Sequence, residues 1–207
     1  MDNYSSKPIS SVVVQVKSKN IYSSIENVNI KNNASVHLGD IIISATAKSL
    51  KDFPEFNSNF DKKIKIYQNI NIGSLINLGK GTRIIVMKNA DKKSITRISE
   101  ELKELMLKYI HNELNEEETQ NSTFSVTNLS PFNSYLTIPP ILKNQSAMIS
   151  IASEFDSFEI LNDKINSTKK FNLTLSYDSR VADCQKALQF LNSIKDILEK
   201  RENMDFR

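Results

Sequence analysis

The sequence predicts a mixed α/β domain, and three observations carry that expectation. Short β-branched runs, such as Val12-Val13-Val14 and Ile84-Ile85-Val86, recur along the chain and read as buried strands. From Ser94 to about Glu113, the residues Ile95, Ile98, Leu102, Leu105, Met106 and Ile110 recur at spacings of three and four, the period of an amphipathic helix. Asp183 then precedes a second such face, made of Ala187, Leu188, Leu191, Ile194 and Leu198. Strands interrupted by helices call for a sheet flanked by helices.

Taken in order, residues 1–10 are polar and contain Pro8, so they are expected to be a flexible lead-in to a single domain over residues 11–207. Ser11 to Val16 is the first strand. Asp40 is expected to cap a helix through Ile41-Ile42-Ile43 and Ala45 to Leu50, stopped by Pro54. Ile64, Ile66, Ile70 and Ile72 alternate and suggest one or two strands ending at Gly73. Asn77 to Gly81 is a turn and Arg83 to Met87 a strand. After the long helix comes an acidic connection, Asn115 to Gln120. A strand, Thr123 to Thr127, leads into a long loop, Asn128 to Pro140. Ala147 to Ala152 and Phe171 to Ser176 are further strands, and the chain shows no internal repeat.

The bulk properties exclude several classes. The net charge of +3 comes from interspersed charges, and Lys62-Lys63 and Lys169-Lys170 read as solvated, so no nucleic-acid surface is expected. No apolar run approaches the ~20 residues of a membrane span, and the first residues resemble neither a signal nor a transit peptide. Cys184 is the single cysteine, so no internal disulfide forms, which fits a reducing compartment. The Asn-x-Ser/Thr triplets are what an Asn- and Ser-rich chain supplies by chance. There is no glycine-rich phosphate loop, no metal-ligand cluster and no Cys/His pair. The two histidines, His37 and His111, read as structural or exposed, because a general base also needs an orienting partner.

Order and wording together say more. Thr123-Phe124-Ser125-Val126-Thr127-Asn128-Leu129 and Leu173-Thr174-Leu175-Ser176-Tyr177-Asp178-Ser179-Arg180-Val181-Ala182-Asp183-Cys184 stand some fifty residues apart. Upstream lie Phe53-Pro54-Glu55-Phe56-Asn57-Ser58, Asn71-Ile72-Gly73 and Met87-Lys88-Asn89-Ala90-Asp91-Lys92-Lys93-Ser94. Pro140-Ile141-Leu142 and Gln145-Ser146-Ala147 fall between the first two. In this order they resemble the signatures of the dihydrolipoyl acyltransferase core of 2-oxo acid dehydrogenase complexes.

That resemblance implies a chloramphenicol acetyltransferase-like fold, a mixed sheet flanked by helices, assembled as trimers. It also implies chemistry between acyl-lipoamide and coenzyme A. In the family a histidine deprotonates the coenzyme A thiol, and a Ser or Thr hydroxyl holds the oxyanion. Thr127 matches that hydroxyl and Asp183 matches the Asp after the histidine, but Ser179 replaces the histidine itself, and Ser130 and Cys184 replace glycines. The family's N-terminal basic helix has no counterpart before Val12.

On that reading Thr127, Ser179 and Asp183 are vestiges, with no cofactor or metal held by this chain, and the chain is not an enzyme. It resembles protein X, a histidine-lacking scaffold that helps organise the core, of the pyruvate complex foremost. Its partners would be its own trimer or active acyltransferase subunits, with dihydrolipoyl dehydrogenase recruited through domains outside this chain. Its place would be the mitochondrial matrix in a eukaryote and the cytoplasm otherwise. The alternatives are an active acyltransferase with another base, such as His111 or a neighbouring subunit's histidine, and an inactive fold member outside any such complex.

Overall fold

A computed structural model of the chain describes residues 8–77, 79, 81–161 and 163–200. Its centre is a six-stranded mixed sheet. The strands are β1 (Ile9–Lys17), β4 (Ile72–Ile76), β5 (Arg83–Met87), β6 (Phe124–Asn128), β7 (Ala147–Leu161) and β8 (Lys164–Asp178), in the order β1-β8-β7-β6-β4-β5. β6 pairs in parallel with β4 and β7, and the remaining pairs are antiparallel. A two-stranded ribbon, β2 (Ser58–Asp61) with β3 (Lys63–Ile66), stands apart. Four helices accompany the sheet: α1 (Lys19–Asn32), α2 (Leu38–Ser49), α3 (Ile95–His111) and α4 (Cys184–Glu199). Among the described residues no helix is long and apolar enough to cross a membrane.

The apolar stripes predicted for the two amphipathic helices are buried. α3 hides Ile95, Ile98, Leu102 and Leu105, and α4 hides Ala187, Leu191, Ile194 and Leu198. Burying a side chain of this size contributes about 1.5–3 kcal/mol. Phe190 of α4 ties three segments together: its ring stacks on Phe56 at 4.7 Å and meets Phe53 at 5.6 Å and Phe124 of β6 at 5.9 Å. The strand carrying the acyltransferase-like signature is thereby fixed against the last helix.

Several expectations need correction. Helix α1 has no counterpart among the expected elements, although Ile21, Ile25 and Val28 stand at helical spacing and pack on the core; the Asn- and Ser-rich residues between them dilute that stripe. Asp40 is not the residue before α2 but its third; His37 holds the cap position, and its backbone amide donates to Asp40 Oδ2 at 2.9 Å. Gly73 does not end a strand. It lies within β4, where an added Cβ would meet Ser125 Oγ at 2.8 Å, Ser122 Cβ at 2.9 Å and Ile84 Cγ2 at 3.0 Å. The glycine therefore permits close approach of neighbouring strands.

β7 and β8 run well beyond their predicted cores, to 15 residues each, with a register shift between Ile151 and Glu154. Past that shift the ribbon leaves the core and carries charged residues, so the usual alternation fades. The first strand begins at Ile9, inside the expected lead-in; residues 1–7 of that lead-in lie outside the described residues.

Candidate active site

Thr127 sits one residue from the end of β6. Parallel neighbours clamp it on both sides, with Leu75 of β4 and Ser150 of β7 in register. β-branching suits such a strand, yet the side chain also lines a cavity of about 670 Å3. Thr127 is 8% exposed, and its hydroxyl has no hydrogen-bond partner among the described residues. The wall is largely apolar, with Ile43 from α2, Leu102 and Met106 from α3, and Phe132 from the loop after β6. Among the described lining residues the titratable groups are His37 and Asp40, and none is a lysine or arginine.

The loop after β6 is held locally: Asn128 Oδ1 accepts from the Ser130 amide at 3.0 Å. The first turn of α2 presses on this corner, and a Cβ on Gly39 would lie 3.4 Å from Asn128 Nδ2. Asp40 is buried, and burial raises its carboxyl above the ordinary range. Hydrogen bonds from the His37 amide and from Ser99, with the nearby His37 charge, pull the other way.

Ser179 lies elsewhere. It follows the last residue of β8, is exposed, and both its amide and its hydroxyl donate to the Pro8 carbonyl, at 3.0 and 3.3 Å. Its neighbours are architectural. The wholly buried Asp178 carboxylate takes a two-pronged bond from Arg180, at 2.8 Å from Nε and 2.6 Å from Nη2. That bond raises the guanidinium pKa further, and Arg180 also covers the Phe60 ring at 4.3 Å. Asp183 caps α4, its Oδ1 accepting from the Lys186 amide at 2.7 Å.

A single chain does not join Thr127 to Ser179. Thr127 is level with Ser150 and, through it, with Thr174 of β8, five residues before Ser179. At about 3.3 Å per residue and 4.8 Å per strand, the two are roughly 15–20 Å apart. His111, the base contemplated from the sequence, ends α3 in solvent and is absent from the cavity wall. His37, read as structural or exposed, is the histidine on that wall. Nothing in its sequence surroundings signals this, because only the packing of α2 against β6 brings it there. The described residues contain no group of His, Cys, Asp or Glu able to hold a metal.

The structure thus joins a mixed sheet flanked by helices to a largely apolar cavity lined by the Thr127 hydroxyl. Residues 1–205 match the family model of the 2-oxoacid dehydrogenases acyltransferase (catalytic domain), and the chain belongs to that family. It is 32% identical over 170 residues to a dihydrolipoyllysine-residue succinyltransferase component of a 2-oxoglutarate dehydrogenase complex from Buchnera aphidicola. That match covers 82% of this chain and 43% of the relative. It is 31% identical over 173 residues to the acetyltransferase component of the pyruvate dehydrogenase complex of Rickettsia bellii, covering 81% of this chain and 40% of the relative.

Among solved structures, a probable dihydrolipoamide acetyltransferase from Listeria monocytogenes superposes with a TM-score of 0.90 at 31% identity, over 97% of this chain and 89% of that one. The cubic core of a pyruvate dehydrogenase multienzyme complex and chloramphenicol acetyltransferase share the fold, with TM-scores of 0.86 and 0.59. The chain spans about two fifths of the length of the curated relatives it matches.

These relatives correct one expectation. A chain that is not an enzyme was inferred from Ser179 alone, but the relatives are named as acyltransferases and the matching model is that of the catalytic domain. The physical reason is that one missing base is one contribution. General-base help is worth about 10²–10⁴-fold, while orientation and oxyanion stabilisation act separately. A thiol, moreover, is already a few per cent thiolate near pH 7 and strongly nucleophilic.

Proposed function

We propose that this chain is an acyl-transferring core subunit of a 2-oxo acid dehydrogenase complex, of the pyruvate type, moving an acetyl group between a lipoyl thiol and coenzyme A. The observation that carries this reading is the unpartnered Thr127 hydroxyl on the wall of the 670 Å3 cavity. A thiolate attacking an acyl thioester builds negative charge on the carbonyl oxygen, and a preformed hydroxyl donor lowers that barrier. An acetyl group suits the cavity because no lysine or arginine lines it among the described residues. A succinyl carboxylate entering an apolar wall needs such a partner.

The subunit also organises the core. The outer β7–β8 ribbon exposes Phe158, Ile160 and Ile165, at 70, 77 and 75%, and the register puts all three on one face. A face of this kind seeks cover, and a neighbouring copy in a trimer, or an acyltransferase subunit of the same fold, is the proposed cover. Such an assembly also makes sense of a Thr127 and a Ser179 too distant to meet within one chain. Recruitment of dihydrolipoyl dehydrogenase would belong to regions outside this domain. The compartment is that of the complex, the matrix in a eukaryote and the cytoplasm otherwise.

The test is transfer from acetyl- and succinyl-coenzyme A to dihydrolipoamide by the purified chain, with its mass in solution measured by light scattering. Acetyl transfer by a trimer or multiple of three, several-fold faster than succinyl transfer, is expected. Assembled protein that transfers neither group would overturn the reading.

A further inference from the structure

The sequence offers two histidines, and the fold separates their surroundings. Both side chains are exposed, but His37 stands at the cap of α2 on the wall of the cavity that Thr127 lines, whereas His111 ends α3 away from that wall. The α2 turn bearing His37 abuts the strand end bearing Thr127, since a Cβ on Gly39 would sit 3.4 Å from Asn128. The histidine is also anchored. Its amide donates to Asp40 Oδ2 at 2.9 Å, and its ring Nε2 lies 3.3 Å from Ser35 Oγ. Ser99 of α3 fixes the same corner through its hydroxyl, which donates to the Ser35 carbonyl at 2.8 Å. Asp40 is the other titratable group among the described residues of the wall, and it lies near enough for the His37 charge to act on its carboxyl.

Building on the acyl-transfer reading above, we propose that His37 is the general base of this site, serving the cavity in place of the histidine that Ser179 displaces. The chemistry balances without any further reactant. A ring nitrogen of His37 takes the proton of the incoming thiol, and the thiolate sulfur bonds to the acyl carbonyl carbon. Thr127 donates to the resulting oxyanion. As the intermediate collapses, the carbon–sulfur bond to the original carrier breaks, and the leaving thiolate recovers the proton from the imidazolium. Both thiols are neutral at the end and the imidazole is regenerated. Asp40 acts as a positioning residue, holding the His37 backbone and favouring the charged ring between the two proton transfers.

The experiment uses the whole chain with acetyl-coenzyme A and dihydrolipoamide. The variants are His37→Asn, chosen because asparagine also serves well at a helix cap, and His111→Asn as the control. His37→Asn should lower kcat by about 10²–10⁴-fold, flatten the acid limb of the pH–rate profile, and regain activity when free imidazole is added. His111→Asn should leave all three unchanged. Rescue by imidazole separates a base from a cap, since a merely structural loss does not respond to a small base in solution. If the wild type transfers acetyl and His37→Asn does so equally well, or loses activity without imidazole rescue, the assignment of His37 is overturned while acyl transfer stands. If the wild type transfers no acetyl at any pH, both fall together.

Discussion

Replacing Thr127 with valine isolates one atom of the proposed chemistry. Valine keeps the branched shape that the parallel strands on either side of β6 demand, and the residue is 8% exposed, so packing is conserved. The lost hydroxyl has no hydrogen-bond partner among the described residues, so no buried partner is orphaned by its removal. The stability change should therefore stay below about 1 kcal/mol, which for a domain of this size is a shift of roughly 2–4 °C at most. The catalytic change should be far larger. Loss of one oxyanion donor costs about 10²–10³-fold in kcat, or roughly 2.7–4 kcal/mol, with KM little altered because the contact forms only as charge develops. Thr127→Ser should retain most of the rate. The assay is steady-state acetyl transfer beside thermal unfolding of the same preparations. Valine with unchanged kcat refutes the oxyanion role, and so does a loss of rate that merely follows a large fall in melting temperature.

Two further outcomes test the frame around the site. Gly73→Ala should destabilise by about 1–3 kcal/mol, since its Cβ meets Ser125 Oγ at 2.8 Å and Ser122 Cβ at 2.9 Å. Adding Ser125→Ala removes the nearer atom, a buried hydroxyl without a partner among the described residues, and should restore part of the loss in denaturant melts; a double variant no better than the single one contradicts this. Asp40→Asn tests the buried carboxyl, whose pKa burial raises above its ordinary 3.8. A raised value favours the neutral form in the fold, so that stabilisation is complete below about pH 4 and is lost as pH rises through the raised value. The asparagine variant should thus gain on the wild type over that climb, and a stability difference that does not change with pH would disprove the linkage.

Much of the fold was legible because local physics wrote it into the chain. The spacing in α3 and α4, the β-branched runs of β1, β5 and β6, and Asp183 before the last helix all act over a few residues. Thr127 could be singled out from its signature strand, but nothing near it in the sequence revealed that its hydroxyl faces a cavity. His37 shows the limit more sharply. Its hydrogen-bond partners, Ser35 and Asp40, are near in sequence, but the cavity it lines is closed by α3 and by the end of β6, some 60 to 90 positions away.

What the sequence determined by itself was the class of fold and the order of its signature segments, since periodicity and caps need no distant partner. Ser179, read from sequence alone, pointed to a chain without activity, an inference the relatives reversed. The tertiary structure decided the rest. It seated the Asn- and Ser-rich helix α1 on the core through Ile21, Ile25 and Val28, required a glycine at position 73 where strands crowd, and extended the β7–β8 ribbon beyond any alternation. It also set His37 and Thr127 on one cavity and left Ser179 on another edge. Proximity across the sheet depends on register and crossing order, and those are properties of the whole chain's packing rather than of any window along it.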